Sequence, residues 1–173
     1  GTRLWPLSRK TLPKQFVPLI DNKNLLVLTL ERLRRLNAEV TCVASEEHRF
    51  LVQESIEAAD VRGQQLLEPA ARNTAAAMSA IALLAEPGQL LLFAPADHHI
   101  PDAERFVATI EKGVPAALAG YLVTFGVEPT FPSTAYGYIC QGEKLDAALG
   151  EEAGHAVAAF VEKPDASRAE QLL

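Results

Sequence analysis

Gln89-Leu90-Leu91-Leu92-Phe93-Ala94-Pro95-Ala96-Asp97-His98-His99 is an apolar run that stops at a proline and turns abruptly polar. Its length and its boundaries, Pro87-Gly88 before and Pro95 after, predict a strand over Gln89 to Ala94. A strand with no polar alternation is one buried on both faces, which requires helices on both sides. The neighbouring sequence offers them. Asn73 to Glu86 is rich in Ala and Leu and predicts a helix ended by Pro87-Gly88. Residues 102 to 119 predict another, broken or kinked at Gly113 and Pro115.

The alternation continues outward from this centre. Leu26, Leu30, Leu33 and Leu36 recur at helical spacing, with Glu31, Arg32, Arg34 and Arg35 facing outward. Val40 to Ala44 and Gln65 to Glu68 read as strands on either side of a helix capped by Ser45 and carrying Phe50, Leu51 and Ile56. Tyr121 to Val127, Tyr136 to Cys140 and Ala156 to Glu162 predict later strands, and Ser167-Arg168-Ala169-Glu170 fits a capping box opening a last helix. The pattern implies an α/β domain with a mainly parallel sheet and helices on both faces. In such sheets ligands bind beyond the carboxyl ends of the strands. Glu68, Asp97 and Glu162-Lys163 all fall at strand ends, so they are expected to converge on one rim.

Composition bounds the function. With 173 residues, 49% hydrophobic and 22% charged, the chain fits one folded domain and is not disordered. No apolar run reaches transmembrane length and no signal segment opens the chain, so a cytoplasmic protein away from membranes is expected. Cys42 and Cys140 are isolated thiols without metal-ligand spacing, expected in buried packing in a reducing compartment. The formal net charge is -6, yet the first twenty residues hold Arg3, Arg9, Lys10 and Lys14 and no acid. A basic loop on an acidic protein either holds an anion or is a solvated turn. One short basic loop without interleaved aromatics argues against nucleic acid.

The loop has neither the Gly-x4-Gly-Lys-Ser/Thr nor the Gly-x-Gly-x-x-Gly pattern. Its anion-holding capacity rests on backbone N–H groups with Arg3, which can clamp two phosphate oxygens, and Lys14, a mobile point charge. Asp97 is placed either to bind Mg2+ together with phosphate oxygens or to cap the helix beginning near Pro101. His98 and His99 alone do not make a zinc site. Glu68 accepts hydrogen bonds only and suits the adjacent N1–H and N2–H2 donors of guanine, with backbone N–H groups near Asn73 available to O6. The other reading of that segment is an ordinary turn capped by Asn73. Gly137 within a strand marks either close approach or a bulge. Glu162-Lys163 suits sugar hydroxyls and a phosphate, or is a surface ion pair.

Five segments together carry a resemblance: GTRLWPLSRKTLPKQF (1–16), LLEPAARNTAAA (66–77), FAPADHHI (93–100), VTFGVEPTFPSTAYGYI (123–139) and FVEKPD (160–165). In this order they resemble the bacterial mannose-1-phosphate guanylyltransferases of the sugar-nucleotide pyrophosphorylase superfamily. The resemblance implies a Rossmann-like domain of the nucleotide-diphospho-sugar transferase type that forms GDP-mannose and pyrophosphate from GTP and mannose 1-phosphate, with Mg2+. It matches Gly1, Thr2 and Arg3 to the loop around the nucleotide phosphates, Lys14 to the lysine near the α-phosphate and Asp97 to a Mg2+ ligand. Arg3, Lys14 and Asp97 are thereby the catalytic set. Glu68 and Asn73 match the base-recognition segment, and Gly137, Glu162 and Lys163 the sugar-phosphate side. Ser133, Ala135 and Ala76 stand where the family has Glu, Gly and Pro. Relative to the family, residues 1–173 are expected to be a partial domain truncated at both ends, without its first strand and its second metal aspartate. A related nucleotidyltransferase for another base or sugar, a non-catalytic nucleotide-binding module, and a homo-oligomer are left open.

Overall fold

The apolar residues downstream of the basic loop find their partners in two helices. The structure, a computed structural model, describes residues 4–70, 73–149 and 154–173. It divides into two compact units, Gly1–Ala103 and Glu104–Leu173.

In the first unit, β1 (Pro18–Ile20) pairs antiparallel with β2 (Lys23–Asn24) across Asp21 and Asn22, both at positive φ. Asn24 then caps α1 (Leu25–Arg34), its side-chain oxygen accepting from the Val27 N–H at 2.8 Å. β3 (Val40–Ser45) leads through a 3-10 turn, Glu46–His48, into α2 (Arg49–Ala58) and on to β4 (Gly63–Glu68). β4 lies parallel to β3 in unbroken register from Val40↔Gly63 to Ser45↔Glu68, the β-α-β arrangement expected when a helix carries the chain back across a sheet. Phe16, Leu26, Val27, Leu30, Val52, Ile56 and Ala59 form the buried cluster, with Leu12, Val40, Cys42, Ala44 and Ala96 packed on it. The two helices are also tied by Asn24 Nδ2, which donates to the Oγ of buried Ser55 at 3.2 Å. α3 (Asn73–Leu84) comes after β4 in the chain.

In the second unit, α4 (Ala103–Leu118), whose first residue closes the first unit, runs unbroken through Gly113 and Pro115. Pro115 lies in the helix's last turn and supplies no N–H to the ladder, yet the helix continues through it to Leu118. The segment after the helix comes close to Gly113: a Cβ there would stand 2.7 Å from Phe125 Cζ. β5 (Gly137–Lys144) and β6 (His155–Glu162) pair antiparallel, and α5 (Ala166–Gln171) follows.

The α/β class with its parallel pair is present, and several expectations about single elements are corrected. Among the described residues, strand pairing occurs as three two-stranded sheets, of which β3–β4 is parallel and the other two antiparallel. Residues 89–94 and 121–127 have no strand pairing among the described residues, and Leu90 to Phe93 are 37–44% exposed. An apolar extended run becomes a strand only where a second backbone supplies its ladder. Arg32, expected outward, is buried and donates to Thr29 Oγ1 at 3.3 Å; burial lowers its pKa. Of the apolar residues read on the second helix, Phe50 is exposed beneath the Arg49 guanidinium at 4.6 Å, and Val52 takes the core position. Ser45 makes no side-chain cap; it precedes the 3-10 turn. The last helix is capped by Asp165, which accepts from the Arg168 N–H, rather than by Ser167. Cys42 and Cys140 are free and half-buried.

Two outcomes follow from this packing. Asn24→Ala removes a cap and the tie to Ser55, and is expected to cost about 1–3 kcal/mol in urea unfolding. Asn24→Asp, which keeps the cap acceptor, should fall between the two; an Ala variant as stable as the parent would refute the assignment. Burial pushes the Cys42 thiol up to about 11. Its alkylation in the folded protein should therefore rise with pH until about pH 11, whereas in urea it follows an ordinary thiol. Because folding favours the neutral form, the group's contribution to stability is full below its unfolded pKa and falls as pH rises through about 11. A folded-state reaction midpoint equal to the unfolded one would contradict this.

Candidate active site

The basic loop is shaped by its own backbone before it meets anything else. Arg9 and Leu12 exchange N–H···O bonds of 2.9 and 3.1 Å, closing a tight turn at Lys10-Thr11, and Arg9 Nε donates to the Pro6 carbonyl at 3.2 Å. Lys14–Phe16 then form one 3-10 turn, with the Phe16 N–H on the Pro13 carbonyl at 3.0 Å. The Phe16 ring is buried in the core. That burial fixes the turn, and Lys14 two residues earlier remains part-exposed.

Asp97 reaches the same place from another direction. Ala96 packs on the cluster that buries Phe16, and the next carboxylate oxygen, Asp97 Oδ2, lies 2.5 Å from Lys14 Nζ, with side-chain exposures of 35% and 40%. His98 Nε2 is 3.8 Å from Asp97 Oδ1. The capping alternative for Asp97 is not taken up, since α4 begins at Ala103 and the carboxylate is turned to Lys14. A part-exposed ion pair adds little to stability. It does hold a cation and a carboxylate side by side at an open surface. Among the described residues no group of three or more His, Cys, Asp or Glu stands where it would hold a metal alone. One carboxylate at an open surface fits a hard cation that takes its other oxygens from phosphate and water.

Glu68 ends β4 beside Ser45 at the carboxyl end of β3, and is half-buried. Asn73 is exposed and is the first residue of α3, at φ +62°, rather than its cap. Asparagine tolerates that left-handed conformation better than most residues. Gly1, Thr2 and Arg3 lie outside the described residues.

One side chain at this rim was passed over by sequence reasoning. His48 closes the turn after β3, and its Nε2 lies 3.2 Å from the Lys10 carbonyl while its ring stands 5.8 Å from that of Phe16. The available signal was its position just past a strand's carboxyl end, masked by Glu46-Glu47, which read as a helix start.

In the second unit, strand pairing sets Gly137 opposite Glu162. A Cβ on Gly137 would come 2.7 Å from Glu162 Oε2. The register shifts of β5 fall between Cys140 and Lys144, away from Gly137, so close approach and not a bulge accounts for this glycine. The Lys163 N–H donates to the Tyr136 carbonyl at 3.2 Å, and Lys163 Nζ lies 3.0 Å from Glu162 Oε1 in an exposed pair. The Tyr138 hydroxyl accepts from the Ser133 N–H at 2.8 Å, steadying the preceding loop.

The chain has relatives among known proteins. Residues 1–173 match the family described as nucleotidyl transferase. The chain is 44% identical to the mannose-1-phosphate guanylyltransferase of Salmonella montevideo, over all of the chain and 38% of that protein. It is 44% identical to xanthan biosynthesis protein XanB of Xanthomonas campestris pv. campestris (strain B100), over all of the chain and 37% of that protein. Among solved structures, mannose-6-phosphate isomerase from Helicobacter pylori aligns with a TM-score of 0.80 at 36% identity, over 94% of this chain and 60% of that one. The chain thus spans less than two-fifths of the length of these two curated relatives.

The clash at Gly137 is with the far end of a flexible side chain. Gly137→Ala is therefore expected to displace the Glu162 carboxylate in a crystal structure of the variant while shifting the melting temperature by no more than about 2 °C. A carboxylate left in place would count against the close-approach account.

Proposed function

This chain belongs to the nucleotidyl transferase family, and we propose that it carries the transfer site of a mannose-1-phosphate guanylyltransferase. The reaction moves GMP from GTP to mannose 1-phosphate and yields GDP-mannose and pyrophosphate. The observation that carries this reading is the juxtaposition of Lys14 and Asp97 on one core. The name of the Salmonella relative supports the choice of base and sugar.

In this chemistry a phosphate oxygen of the sugar phosphate attacks the α-phosphorus. A new P–O bond forms, the bond from α-phosphorus to the bridging oxygen breaks, and pyrophosphate leaves with that electron pair. No side-chain nucleophile is needed, so the protein's work is alignment and charge stabilisation. Without substrate, the Lys14 ammonium is neutralised by Asp97. An incoming triphosphate competes for that ammonium, which then faces the α-phosphate where negative charge develops. Asp97 is the residue to hold Mg2+, whose chemistry is to neutralise phosphate oxygens as a Lewis acid. Gly1, Thr2 and Arg3 contribute backbone donors and a guanidinium to the nucleotide phosphates. Glu68 accepts from the guanine N1–H and N2–H2 edge, and backbone N–H groups near Asn73 serve O6. Gly137, Glu162 and Lys163 serve the sugar phosphate, the lysine taking its anion.

On this reading both compact units belong to one nucleotidyltransferase domain of a cytoplasmic enzyme that supplies GDP-mannose for polysaccharide synthesis. No helix among the described residues is long and apolar enough to cross a membrane.

The test is pyrophosphate release by the full-length protein, with GTP, ATP and dTTP each offered against mannose 1-phosphate and glucose 1-phosphate. Release is expected with GTP and mannose 1-phosphate, and its absence would overturn the reading. Lys14→Ala should lower kcat by about 10²-fold or more, as loss of one preorganised charge does, with the circular dichroism spectrum unchanged. A folded variant with normal turnover would remove Lys14 from the site.

A further inference from the structure

We propose that His48 is a positioning residue that holds the basic loop so that Lys14 meets the α-phosphate. The role rests on the reading of Lys14 given above. A carbonyl oxygen only accepts, so the 3.2 Å contact with Lys10 requires Nε2 to carry the ring proton and donate it. The same ring stands 5.8 Å from Phe16, inclined by 37°. His48 therefore touches the loop on both sides of Lys14, four residues before it and two after.

The anchor from which His48 acts is rigid. It joins β3, paired along its whole length with β4, to α2, whose Val52 and Ile56 are in the core. The turn that carries it is closed by the Arg49 N–H on the Glu46 carbonyl and by a 2.9 Å ion pair between the same two side chains. The loop tip is held less firmly: Leu12 beside it packs on the core, but Lys10 and Thr11 themselves are exposed. Among the described residues, the hydrogen bonds of Arg9 to Leu12 stay within the loop, except that from His48 to Lys10. A shallow, open groove bordered by Lys10, Thr11, Glu47 and His48 lies on this side of the tip. The imidazole is thus the tie between the sheet's carboxyl-end rim and the tip. Its removal would leave the tip free to shift, and displacements near 1 Å at a charge-stabilising group are costly to turnover.

Two measurements decide the matter. Long-range 1H–15N spectra of the wild-type protein should show neutral His48 as the Nε2–H tautomer; an Nδ1–H tautomer would break the proposed contact whatever the enzyme's activity. Kinetically, His48→Ala should lower kcat about tenfold while KM for GTP changes less than about threefold. His48→Gln, whose amide nitrogen reaches a similar position, should recover to within about threefold of wild type. In a Lys14→Ala background, adding His48→Ala should cost no more than about twofold further, because the effect is exerted through Lys14. Losses that multiply in the double variant, or a Gln variant as poor as Ala, would overturn the positioning role while transfer by the wild type still stands. A wild-type protein that transfers nothing would instead remove the reading of Lys14 itself. If His48→Ala does not fold, the tautomer and His48→Gln carry the test.

Discussion

Phe16 ties a loop rich in cations to an apolar core, and the placement of the charged groups in the first unit depends on that burial. A polar loop has no internal reason to keep one shape, since each fixed residue costs about 1–2 kcal/mol of conformational entropy. Burying one aromatic ring returns about 1.5–3 kcal/mol, and the short hydrogen bonds at Arg9–Leu12 and Pro13–Phe16 limit the rest. The same core receives Ala96. Lys14 and Asp97, each one or two residues from a packed apolar side chain, are thereby brought to the same surface. Packing brings the two charges together; their mutual attraction, worth about 0–1 kcal/mol for a pair this exposed, does not.

The parallel pair β3–β4 supplies the second constraint. Parallel strands point their carboxyl ends the same way, so the residues that follow them share one rim. Ser45 and Glu68 end their strands in register, and the turn after Ser45 brings His48 against the loop. Glu68 and the basic loop therefore border the same end of a two-stranded sheet, although β1, β2 and α1 separate the loop from β3 in the chain. In the second unit an antiparallel pair does comparable work: register alone sets Gly137 opposite Glu162.

How much of this was legible in the sequence varied with the range of the interaction. α1, β3, α2 and β4 could be read from local periodicity, because each presents an apolar face to one core. Lys14 and Asp97 stood out individually, as a cation in an acid-free stretch and a carboxylate after an apolar run. Their contact was not legible, since it depends on where Phe16 and Ala96 pack. Arg32 was misassigned to solvent because charge outweighs position in a pattern reading, whereas its long stem and hydroxyl partner allow burial. The runs at 89–94 and 121–127 have strand composition but no paired backbone among the described residues, and composition cannot supply a ladder. Gly137 announced a close approach without naming the carboxylate that makes it.

The pairing of Lys14 with Asp97 also bears on what kind of ligand suits the loop. A bare phosphate that takes the ammonium leaves the Asp97 carboxylate facing a second anion, and repulsion between them offsets part of the gain. A cation that takes the carboxylate leaves the ammonium beside a like charge. A ligand that carries phosphate and its own divalent cation replaces both partners at once and strands neither. An uncompensated basic loop would bind any polyanion, in proportion to charge. Here the basic loop is coupled to one carboxylate on a protein of net charge -6. On the proposed reading, that coupling would favour a metal-bound triphosphate over polyanions in general, before any base or sugar is recognised.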